Sequence, residues 1–286
     1  MANWLAPFSV QAPDFVRGWC GGITERNIMR IAMRLALAAS AIALAIGAAQ
    51  AEEKVLKIGT EGAYPPFNNL TADGKLEGFD IDIANALCDE MKVKCEFVTQ
   101  EWDGIIPALQ AGKFDAIIAQ MSITDERKQQ VDFTNKYIDT PPAIAARKDS
   151  DINGTTKEDL AGKTIGVQGS TIHFNYAEQA FTDSTVKAYP TAQEYQLDLA
   201  NGRLDAINDD IVSIQEWLDT PEGDCCKLVG TFKSVEEIHG PGAGIALRKG
   251  EDELREKLNA AIDAIRANGK YKEINDKYFK FDVFGE

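Results

Sequence analysis

The chain has 286 residues, of which 44% are hydrophobic and 26% are charged, and its formal net charge is −15. This composition is ordinary for a soluble globular protein, and the length suggests one large domain or two medium ones. The acidic balance repels nucleic acid and anionic lipid and attracts cationic ligands, so we expect no nucleic-acid partner. No apolar run after the first fifty residues is long enough to cross a bilayer, so we expect no stable membrane insertion either.

An export signal is predicted at the start of the chain. Two arginines precede an apolar run that ends in the sequence AQA at residues 49–51, a small-residue cleavage pattern. The run is shorter than the ~20 residues that span a bilayer, so a cleaved signal peptide over residues 1–51 is favoured over a membrane anchor. Residues 1–28 carry no recognisable pattern, and Met29 is the expected start. The mature part would carry a net charge of −17, because the leader contains four basic and two acidic residues.

The mature part begins by alternating strand and helix patterns. In order, the patterns predict a strand VLKIGT (55–60), a helix DIDIANALCDEM (80–91), a strand KCEFVTQ (94–100), a helix WDGIIPALQAG (102–112) and a strand FDAIIA (114–119). This βαβαβ order implies a parallel sheet with right-handed crossovers.

A ten-residue phrase occurs twice, as ALQAGKFDAI at 108–117 and DLANGRLDAI at 198–207. We interpret each copy as a helix end, a glycine in the left-handed conformation and the next strand, and therefore as scaffold. The plan repeats around the second copy: strand KTIGVQ (163–168), helix STIHFNYAEQAF (170–181) capped by Ser170 or Thr171, strand STVKAYP (184–190), helix AQEYQLDLANG (192–202) and strand LDAIND (204–209). The repeat predicts two similar α/β lobes.

The tail predicts a strand GIALRK (244–249) and an amphipathic helix over 252–269. The apolar face of that helix is Leu254, Leu258, Ile262 and Ile265. We expect the chain to leave the first lobe, build the second and return, with crossings near 137–142 and 231–240 that form a two-strand hinge. The expected division is 52–139 plus 241–286 for lobe 1 and 140–240 for lobe 2.

Cysteine positions indicate one disulfide. Cys88 and Cys95 lie seven residues apart, between a helix pattern and a strand pattern. In an oxidising compartment we predict that they pair, which stabilises by about 2–3 kcal/mol in the chain-entropy model. A zinc site is the alternative, but neither His173 nor His239 is near in sequence. The adjacent pair Cys225-Cys226 supports no prediction.

Ligands of open α/β sheets bind beyond the carboxyl ends of the strands, so five segments are candidates for one cleft. They are 60–67, Trp102, 119–127, 168–173 and 208–210. In AQMSITDER, the hydroxyls of Ser122 and Thr124 and the guanidinium of Arg127 suit a carboxylate. The alternative is an ordinary capped helix start with a surface salt bridge. The Gly-Ser-Thr run in VQGSTIHF has the same two interpretations.

Other candidates suit a cation. Asp209 and Asp210 in NDD place carboxylates at a strand end, where they suit an ammonium group or serve as turn residues. Glu61, Tyr64 and Trp102 combine an acid with aromatic faces, which suits a cation by charge and cation–π contact, with rim packing as the alternative.

Several familiar motifs are missing. GKT at 162–164 lacks the upstream glycine of a phosphate loop, because Lys157 stands there. The sequence holds no dinucleotide fingerprint, dense metal cluster or nucleophile elbow. We therefore expect no cofactor, no metal and no catalytic residue.

These segments together resemble the polar-amino-acid periplasmic solute-binding proteins of ABC importers (family 3 type), and most of all their lysine/arginine/ornithine- and histidine-binding members. The likeness covers residues 53–286 and rests on GTEGAYPPF, GFDIDIANALC, MSITDER, GVQGST, GRLDAI and KYFKFDV. It implies a type II periplasmic binding protein fold: two lobes, each a mixed, mostly parallel sheet flanked by helices, joined by a two-strand hinge. The Cys88–Cys95 pair also matches a disulfide of the basic-amino-acid members.

The resemblance also implies a role for each site residue. Arg127 would pair with the α-carboxylate of a free amino acid, helped by backbone amides at Ser122 and Thr171. Asp209 and the Ser122 hydroxyl would hold the α-ammonium. The remaining residues would contact the ligand side chain. Glu61, the Ala119 backbone and Gln120 would lie at its distal end, and Tyr64 and Trp102 would lie on either side of its aliphatic stem.

Some positions depart from the family pattern. Glu61 stands where the nearest members usually have Asp, Ala119 and Gln120 where they have hydroxyl residues, and Ile172 where Gln is common. The longer acid shortens the room for the ligand side chain, and Ala119 restores some of it. Arginine, lysine and ornithine are therefore the leading ligands, and histidine, glutamine, cystine or an opine stay open.

The resemblance implies a monomeric periplasmic protein that closes on its ligand and is then recognised by an inner-membrane ABC permease. Two alternatives come from other classes. One is a secreted cyclohexadienyl dehydratase-like enzyme that uses Glu61 or Asp210 as its acid. The other is the sensor module of a membrane receptor, which the lack of a further transmembrane run disfavours.

Overall fold

The structure is a computed structural model that describes residues 54–285. The predicted leader over 1–51 and the expected start at Met29 lie outside the described residues. The strands are β1 Val55–Thr60, β2 Ala63–Tyr64, β3 Asn68–Leu70, β4 Leu76–Glu77, β5 Lys94–Thr99, β6 Ala116–Ile117, β7 Asp132–Ile138, β8 Pro142–Arg147, β9 Thr164–Gln168, β10 Thr185–Tyr189, β11 Ala206–Asp210, β12 Cys226–Thr231 and β13 Ala243–Leu247.

Helices alternate with these strands. They are α1 Phe79–Met91, α2 Trp102–Gln110, α3 Asp125–Lys128, α4 Ile172–Ala180, α5 Ala192–Ala200, α6 Ile211–Leu218, α7 Glu236–His239, α8 Asp252–Ala267 and α9 Lys270–Tyr278. In the described part of the chain, no helix combines the length and the apolar character that crossing a membrane requires.

The first sheet has the strand order β5-β1-β6-β13-β7. β1 pairs in parallel with β5 and β6, and β13 is antiparallel to both of its neighbours. Every strand except β13 therefore runs in one direction, and α1 and α2 complete the predicted βαβαβ unit. β6 covers only Ala116–Ile117, which is shorter than the predicted strand over 114–119.

The second sheet repeats this arrangement with the order β10-β9-β11-β8-β12. β9 pairs in parallel with β10 and β11, and β8 is the strand that runs against the others. The predicted fold class, with two mixed and mostly parallel sheets flanked by helices, is confirmed. A small antiparallel sheet of β2, β3 and β4 follows β1, and the sequence patterns do not predict it.

The two copies of the repeated phrase form the same local structure. Gly112 follows α2 with a φ of +73° and Gly202 follows α5 with a φ of +68°, a conformation that glycine adopts without steric cost. The next amides close the same cap, from Lys113 to the Ala108 carbonyl at 3.0 Å and from Arg203 to the Asp198 carbonyl at 2.9 Å. The interpretation of both phrases as helix ends is confirmed.

The aspartate of each phrase explains why the likeness extends beyond the cap. The Asp115 carboxylate accepts from the amide of Lys57 in β1 at 3.0 Å, and the Asp205 carboxylate accepts from the amide of Thr164 in β9 at 2.7 Å. Each aspartate thus binds the neighbouring parallel strand near its start. The phrase joins a helix end to the adjacent strand. It lies near the amino-terminal ends of β1 and β9, opposite the carboxyl ends at which ligands of such sheets bind.

Two segments connect the sheets. Residues 139–141 lead from β7 to β8, and residues 232–242 lead from β12 back to β13. The Asp139 amide donates to the Val283 carbonyl at 2.7 Å, so the C-terminal segment is fastened to the first connection. The predicted crossings at 137–142 and 231–240 overlap these connections. The lobe boundaries of the sequence analysis, and hinge motion about them, stay predictions.

The C-terminal helices pack with α1 beside the first sheet. On α8, Leu258, Ile262 and Ile265 are buried and Leu254 lies at the edge of the core. Burying each such side chain contributes about 1.5–3 kcal/mol, which accounts for the strong amphipathic pattern of this helix. Cys88 of α1 and Cys95 of β5 form the predicted disulfide, and Cys225 and Cys226 are free.

Candidate functional site

The carboxyl ends of the parallel strands in both sheets meet at one polar cavity. About 410 Å³ of space there, counted with the open solvent at its mouth, is not filled by atoms. The lining residues are Glu61, Tyr64, Trp102, Ala119, Gln120, Ser122, Arg127, Gln168, Thr171, Ile172, His173, Asp209 and Asp210. All nine residues that the sequence analysis names as ligand-binding are among them. Their roles toward a ligand remain predictions.

A wider groove adjoins this cavity on the outer side of Trp102 and Arg127. It holds about 1340 Å³ of open space and reaches Gln130 on the first-sheet side and Asn175 on the second-sheet side. Trp102, Arg127 and Ile172 line both spaces, so these three side chains separate the cavity from the groove. The groove is therefore the outer part of the same cleft.

A buried network supports two loops of the first sheet that face the cavity. The carboxylate of Asp80, at the start of α1, accepts from the Asn68 amide at 2.9 Å and from the Tyr137 hydroxyl at 2.8 Å. The Asn68 carbonyl oxygen accepts from the Gly62 amide at 2.7 Å, and the Tyr137 hydroxyl accepts from the Gln120 amide at 3.0 Å. Burial raises the pKa of Asp80 to about 6. This network positions the loops that carry Glu61 and Gln120.

Arg127 stands between the two sheets. Its guanidinium donates to the carbonyl of Ser122 at 3.0 Å and to the carbonyl of Ser170 at 3.2 Å, and it lies 5.2 Å from the ring centre of Trp102. Burial lowers the pKa of Arg127 to about 10, so the group stays positive at neutral pH. Among residues 54–285, Arg127 forms no salt bridge with a carboxylate. A cation in this situation suits an anionic ligand group.

The capping alternative at Arg127 is also present in the structure. The Thr124 hydroxyl accepts from the Arg127 amide at 3.3 Å and caps α3. A backbone cap and a guanidinium without a carboxylate partner in the described range therefore coexist in one residue, because the cap uses only the backbone amide. Capping thus does not exclude a role in binding.

The turn before α4 contributes from the second sheet. The Thr171 hydroxyl accepts from the Phe174 amide at 3.1 Å, so Thr171 and not Ser170 is the cap of this helix. Ser170 has a φ of +57° and Gln120, across the cleft, has a φ of +54°. Non-glycine residues in this region are strained by about 1–3 kcal/mol, and such residues cluster at functional sites. The Ser170 carbonyl also accepts from the Trp102 indole at 3.1 Å.

Asp209 and Asp210 form the anionic centre of the cavity. The Tyr64 hydroxyl donates to Asp209 at 2.5 Å and to Asp210 at 3.0 Å. Tyr195 donates its hydroxyl to Asp209, and Thr140 donates to Asp210 at 2.7 Å. Tyr64 lies on the first-sheet side, so its hydroxyl joins the two sheets, a contact that its predicted role as an aromatic face does not include.

His173 lies between the two aspartates. Its Nε2 is 3.6 Å from Asp209 and 3.8 Å from Asp210. Burial alone would lower the pKa of His173, but the nearby carboxylates of Asp210 and Asp209 outweigh it and raise the pKa. Burial raises the pKa of Asp209, and His173 opposes this while Asp210 adds to it. A protonated His173 therefore compensates one of the two carboxylate charges.

One donor atom each from His173, Asp209 and Asp210 lies within 4.8 Å of the others, which is close enough for a metal site. The hydroxyls of Tyr64, Tyr195 and Thr140 already direct protons at the two carboxylates. A metal ion would have to displace these donors, whereas an ammonium group can share the remaining lone pairs. The donor set therefore fits a hydrogen-bonding cation better than a metal.

Glu61 lies elsewhere in the cavity, directly after β1. Its side chain accepts from the Gln168 amide at 2.6 Å, and the residue is 9% exposed. Burial raises the pKa of Glu61 to about 7; the Gln168 hydrogen bond opposes the shift, and Asp209 and Asp103 add to it. Glu61 forms no salt bridge with any residue in the described range. A cationic group beside it would restore its charge.

Four further residues line the cavity: Gln168, Ile172, His173 and Asp210. The sequence analysis names Asp210 as a candidate carboxylate and Ile172 as a departure from the family pattern, but it gives neither Gln168 nor His173 a role in binding. All four fall in the segments 168–173 and 208–210, which the strand-end rule marks as candidates. The rule finds the segments, but it does not tell which side chains in them turn toward the cavity.

Two mixed α/β sheets that face one polar cavity define the class of type II periplasmic binding proteins. The sequence profile of the "bacterial extracellular solute-binding proteins, family 3" matches residues 56–281. The chain therefore belongs to this family, and the resemblance found in the sequence is confirmed.

Two known proteins that are similar to this chain have names or descriptions that refer to arginine. An L-arginine-binding protein of Pseudomonas aeruginosa is 49% identical over 259 residues, which is 90% of this chain and 98% of that protein. A Salmonella typhimurium periplasmic binding protein, whose structure addresses high arginine specificity, has a TM-score of 0.72 and 36% identity over 79% of this chain and all of that one.

One further structure bears on the enzyme alternative. It is an ancestral amino-acid-binding protein described as a precursor of cyclohexadienyl dehydratase. Its TM-score is 0.72 and its identity is 32%, over 79% of this chain and 96% of that one.

Proposed function

We propose that this chain binds a free polar or basic L-amino acid in the cavity between its two sheets and delivers it to an ABC permease. Arginine, lysine and ornithine are the preferred ligands in this proposal, and histidine is a further candidate. The protein would work in the periplasm as a monomer after removal of its signal peptide.

The observation that carries this proposal is a set of charges without partners of opposite sign. Arg127 has no carboxylate partner in the described part of the chain, and Glu61 has no cationic one. Asp209 and Asp210 carry two carboxylates against a single histidine. A basic amino acid supplies one carboxylate and two cations, which matches the guanidinium, the aspartate centre and Glu61 in number and in sign.

The proposed mechanism is closure of the cleft. Arg127 and Glu61 belong to the first-sheet side, and Thr171 and Asp209 belong to the second, so one bound zwitterion would contact both. A ligand that contacts both sides stabilises the closed state by its difference in affinity for the closed and open forms. The permease would then recognise the closed surface. None of these steps needs catalysis.

The enzyme alternative has one supporting observation, the likeness to an ancestral protein described as a dehydratase precursor. A buried carboxyl with a pKa of about 7, such as Glu61, has the right protonation for a general acid. However, Arg127 and Asp209 together suit an amino acid that keeps both of its α-groups. Turnover of prephenate or arogenate by the purified protein would favour the enzyme over the carrier.

A thermal-shift screen tests the proposal most broadly. The mature protein, starting at Glu52, is mixed with each of the standard amino acids, ornithine and common opines, and the melting temperature is recorded. A ligand that binds the folded protein raises the free energy of unfolding, by about 2.7 kcal/mol at a free concentration of a hundred times Kd, and so raises the melting temperature. We expect the largest shifts with arginine, lysine and ornithine. Shifts with opines alone would replace amino acids by opines as the ligand class. No shift with any compound would contradict the proposal.

A further inference from the structure

Gln168 occupies the end of β9 and joins the second sheet to Glu61. Its amide nitrogen lies 2.6 Å from Glu61 Oε1 and 2.9 Å from the carbonyl oxygen of Pro190. Pro190 precedes α5 on the second-sheet side. The Thr171 hydroxyl donates to the Gln168 backbone carbonyl at 2.7 Å, which holds the residue at its own backbone as well.

These contacts fix the orientation of the amide. The Gln168 nitrogen carries two hydrogens, and the two acceptors, a carboxylate and a carbonyl, use one each. The opposite orientation would place the amide oxygen against the Pro190 carbonyl oxygen and the Glu61 carboxylate, and with Glu61 ionised it would lose both bonds. Gln168 is 8% exposed, so water cannot readily replace a lost partner. The side chain is therefore a donor held by the second sheet and directed at a carboxylate of the first.

We propose that Gln168 couples recognition of a positively charged ligand side chain to closure of the cleft, by donating a hydrogen bond to Glu61 across the two sheets. This inference rests on the proposed function. The bond spans the cleft, so it forms only when the two sides are together. Gln168 is thus a positioning residue for Glu61, and it makes the strength of closure depend on the charge of Glu61.

The physical basis is the difference between an ionised and a neutral acceptor. A hydrogen bond to a carboxylate is roughly twice as strong as one to a neutral group. A cationic ligand side chain beside Glu61 favours the carboxylate, and the carboxylate then accepts more strongly from Gln168. A neutral ligand side chain gives no such reinforcement. Arginine would therefore gain affinity through the cleft contact, whereas glutamine would not.

The surroundings of Glu61 allow this coupling near neutral pH. Asp209 of β11 and Asp103 of α2 disfavour its charge, Gln168 favours it, and burial brings its pKa to about 7. Tyr195 of α5 also faces it, and its own pKa is raised well above 10, so it stays neutral. Both forms of Glu61 are therefore populated near pH 7, and a nearby positive charge can shift the balance.

A double-mutant cycle tests the inference. Arginine and glutamine affinities are measured by calorimetry at about pH 6, where Glu61 is mostly neutral unless a cation lies beside it. The proteins compared are the wild type, Gln168→Leu, Glu61→Gln and the double variant. We expect Gln168→Leu to weaken arginine binding at least ~fivefold and glutamine binding less than ~twofold. In the Glu61→Gln background, the same change should alter arginine binding less than ~twofold, because the carboxylate is gone. Gln215→Leu, on the exposed face of α6, is the matched control and should leave both affinities unchanged.

A pH series separates positioning from a general structural defect. Gln168→Leu removes a bond that favours ionised Glu61, so the midpoint of the pH dependence of arginine affinity should move upward. A purely structural defect would lower affinity at every pH and leave the midpoint in place. The inference is overturned if the wild type binds arginine and Gln168→Leu matches it within ~twofold, or loses arginine and glutamine binding equally. A wild type that binds no amino acid would instead contradict the proposed function.

Discussion

The two sheets share one scaffold and differ in the charges that they bring to the cleft. Both have a central parallel strand, one reversed strand and the same phrase at a helix end. The first-sheet side carries Arg127 and Glu61, one charge of each sign. The second-sheet side carries Asp209, Asp210 and His173, with Thr171 at a helix start.

Under the proposed function, this difference in charge makes a repeated scaffold selective for one class of ligand. In both copies of the phrase, the aspartate, Asp115 or Asp205, accepts a hydrogen bond from a backbone amide of the neighbouring strand, away from the cavity. The residues at the carboxyl ends of the strands, which line the cavity, differ in charge between the two sheets. A ligand with one carboxylate and two cationic groups can find an oppositely charged partner for each group only by contacting both sides. Variants on either side of the cleft test this division of charges.

Arg127→Ala tests the first-sheet side. A bound α-carboxylate would lose its only guanidinium, and breaking such a buried pair costs about 3 kcal/mol or more. We expect binding of every amino acid to weaken at least ~100-fold in calorimetry. Arg203→Ala, in the second copy of the phrase, is the matched control and should bind as the wild type does. If Arg127→Ala keeps affinity within ~tenfold, the assignment of the carboxylate contact is wrong.

Glu61→Gln tests the side-chain end of the site. The substitution keeps the size of the group and removes its negative charge, so cationic side chains lose a charge contact and neutral ones do not. We expect arginine and lysine affinities to fall at least ~tenfold more than glutamine affinity. Glu216→Gln, exposed on α6, should change neither. Equal losses for all three ligands would remove Glu61 from side-chain recognition.

The same carboxylate predicts a pH dependence. The pKa of Glu61 is about 7, and a bound cationic side chain favours its ionised form and so lowers that pKa. Below pH 7 the free protein must therefore release a proton to bind arginine, and arginine affinity should fall by up to about tenfold per pH unit. Glutamine affinity lacks this dependence, so the ratio of the two affinities isolates Glu61 from Asp209 and His173.

Calorimetric titrations from about pH 5.5 to about pH 8 measure this ratio. The ratio should decrease on acidification in the wild type and stay flat in Glu61→Gln. A wild-type ratio that does not change with pH would show that arginine binding is independent of Glu61 ionisation.

The disulfide should matter for stability and not for binding. Cys95 lies near the start of β5, away from the strand ends that line the cavity. Replacing both Cys88 and Cys95 with serine should lower the free energy of unfolding by about 2–3 kcal/mol in denaturant titrations. Arginine affinity should stay within ~twofold of the wild type, and Cys225→Ser is a control for loss of a thiol. A large loss of affinity would mean that the α1–β5 link supports the cavity.

The sequence was sufficient for the scaffold because its signals are periodic and local. β1 has the predicted bounds, and α8 differs from its prediction only at the C-terminal end. The small sheet of β2, β3 and β4 escapes such reasoning because strands of two or three residues are too short to display a period. Its formation depends on contacts within the loop after β1.

The site could be predicted as a set of residues but not as a set of contacts. Strand ends and the family resemblance indicate all nine selected residues, and the fold brings them to one cavity. Gln168 and Glu61 are separated by 107 positions, and no local pattern relates them. Likewise, nothing in the sequence indicates that the Tyr64 hydroxyl reaches Asp209. Such contacts depend on how the two sheets face each other.

Small-angle X-ray scattering with and without saturating arginine tests whether a bound ligand draws the two sheets together. We expect a smaller radius of gyration with arginine for the wild type, and no change for Arg127→Ala under the same conditions. Identical profiles for the wild type with and without arginine, at a concentration where calorimetry shows full binding, would contradict this expectation.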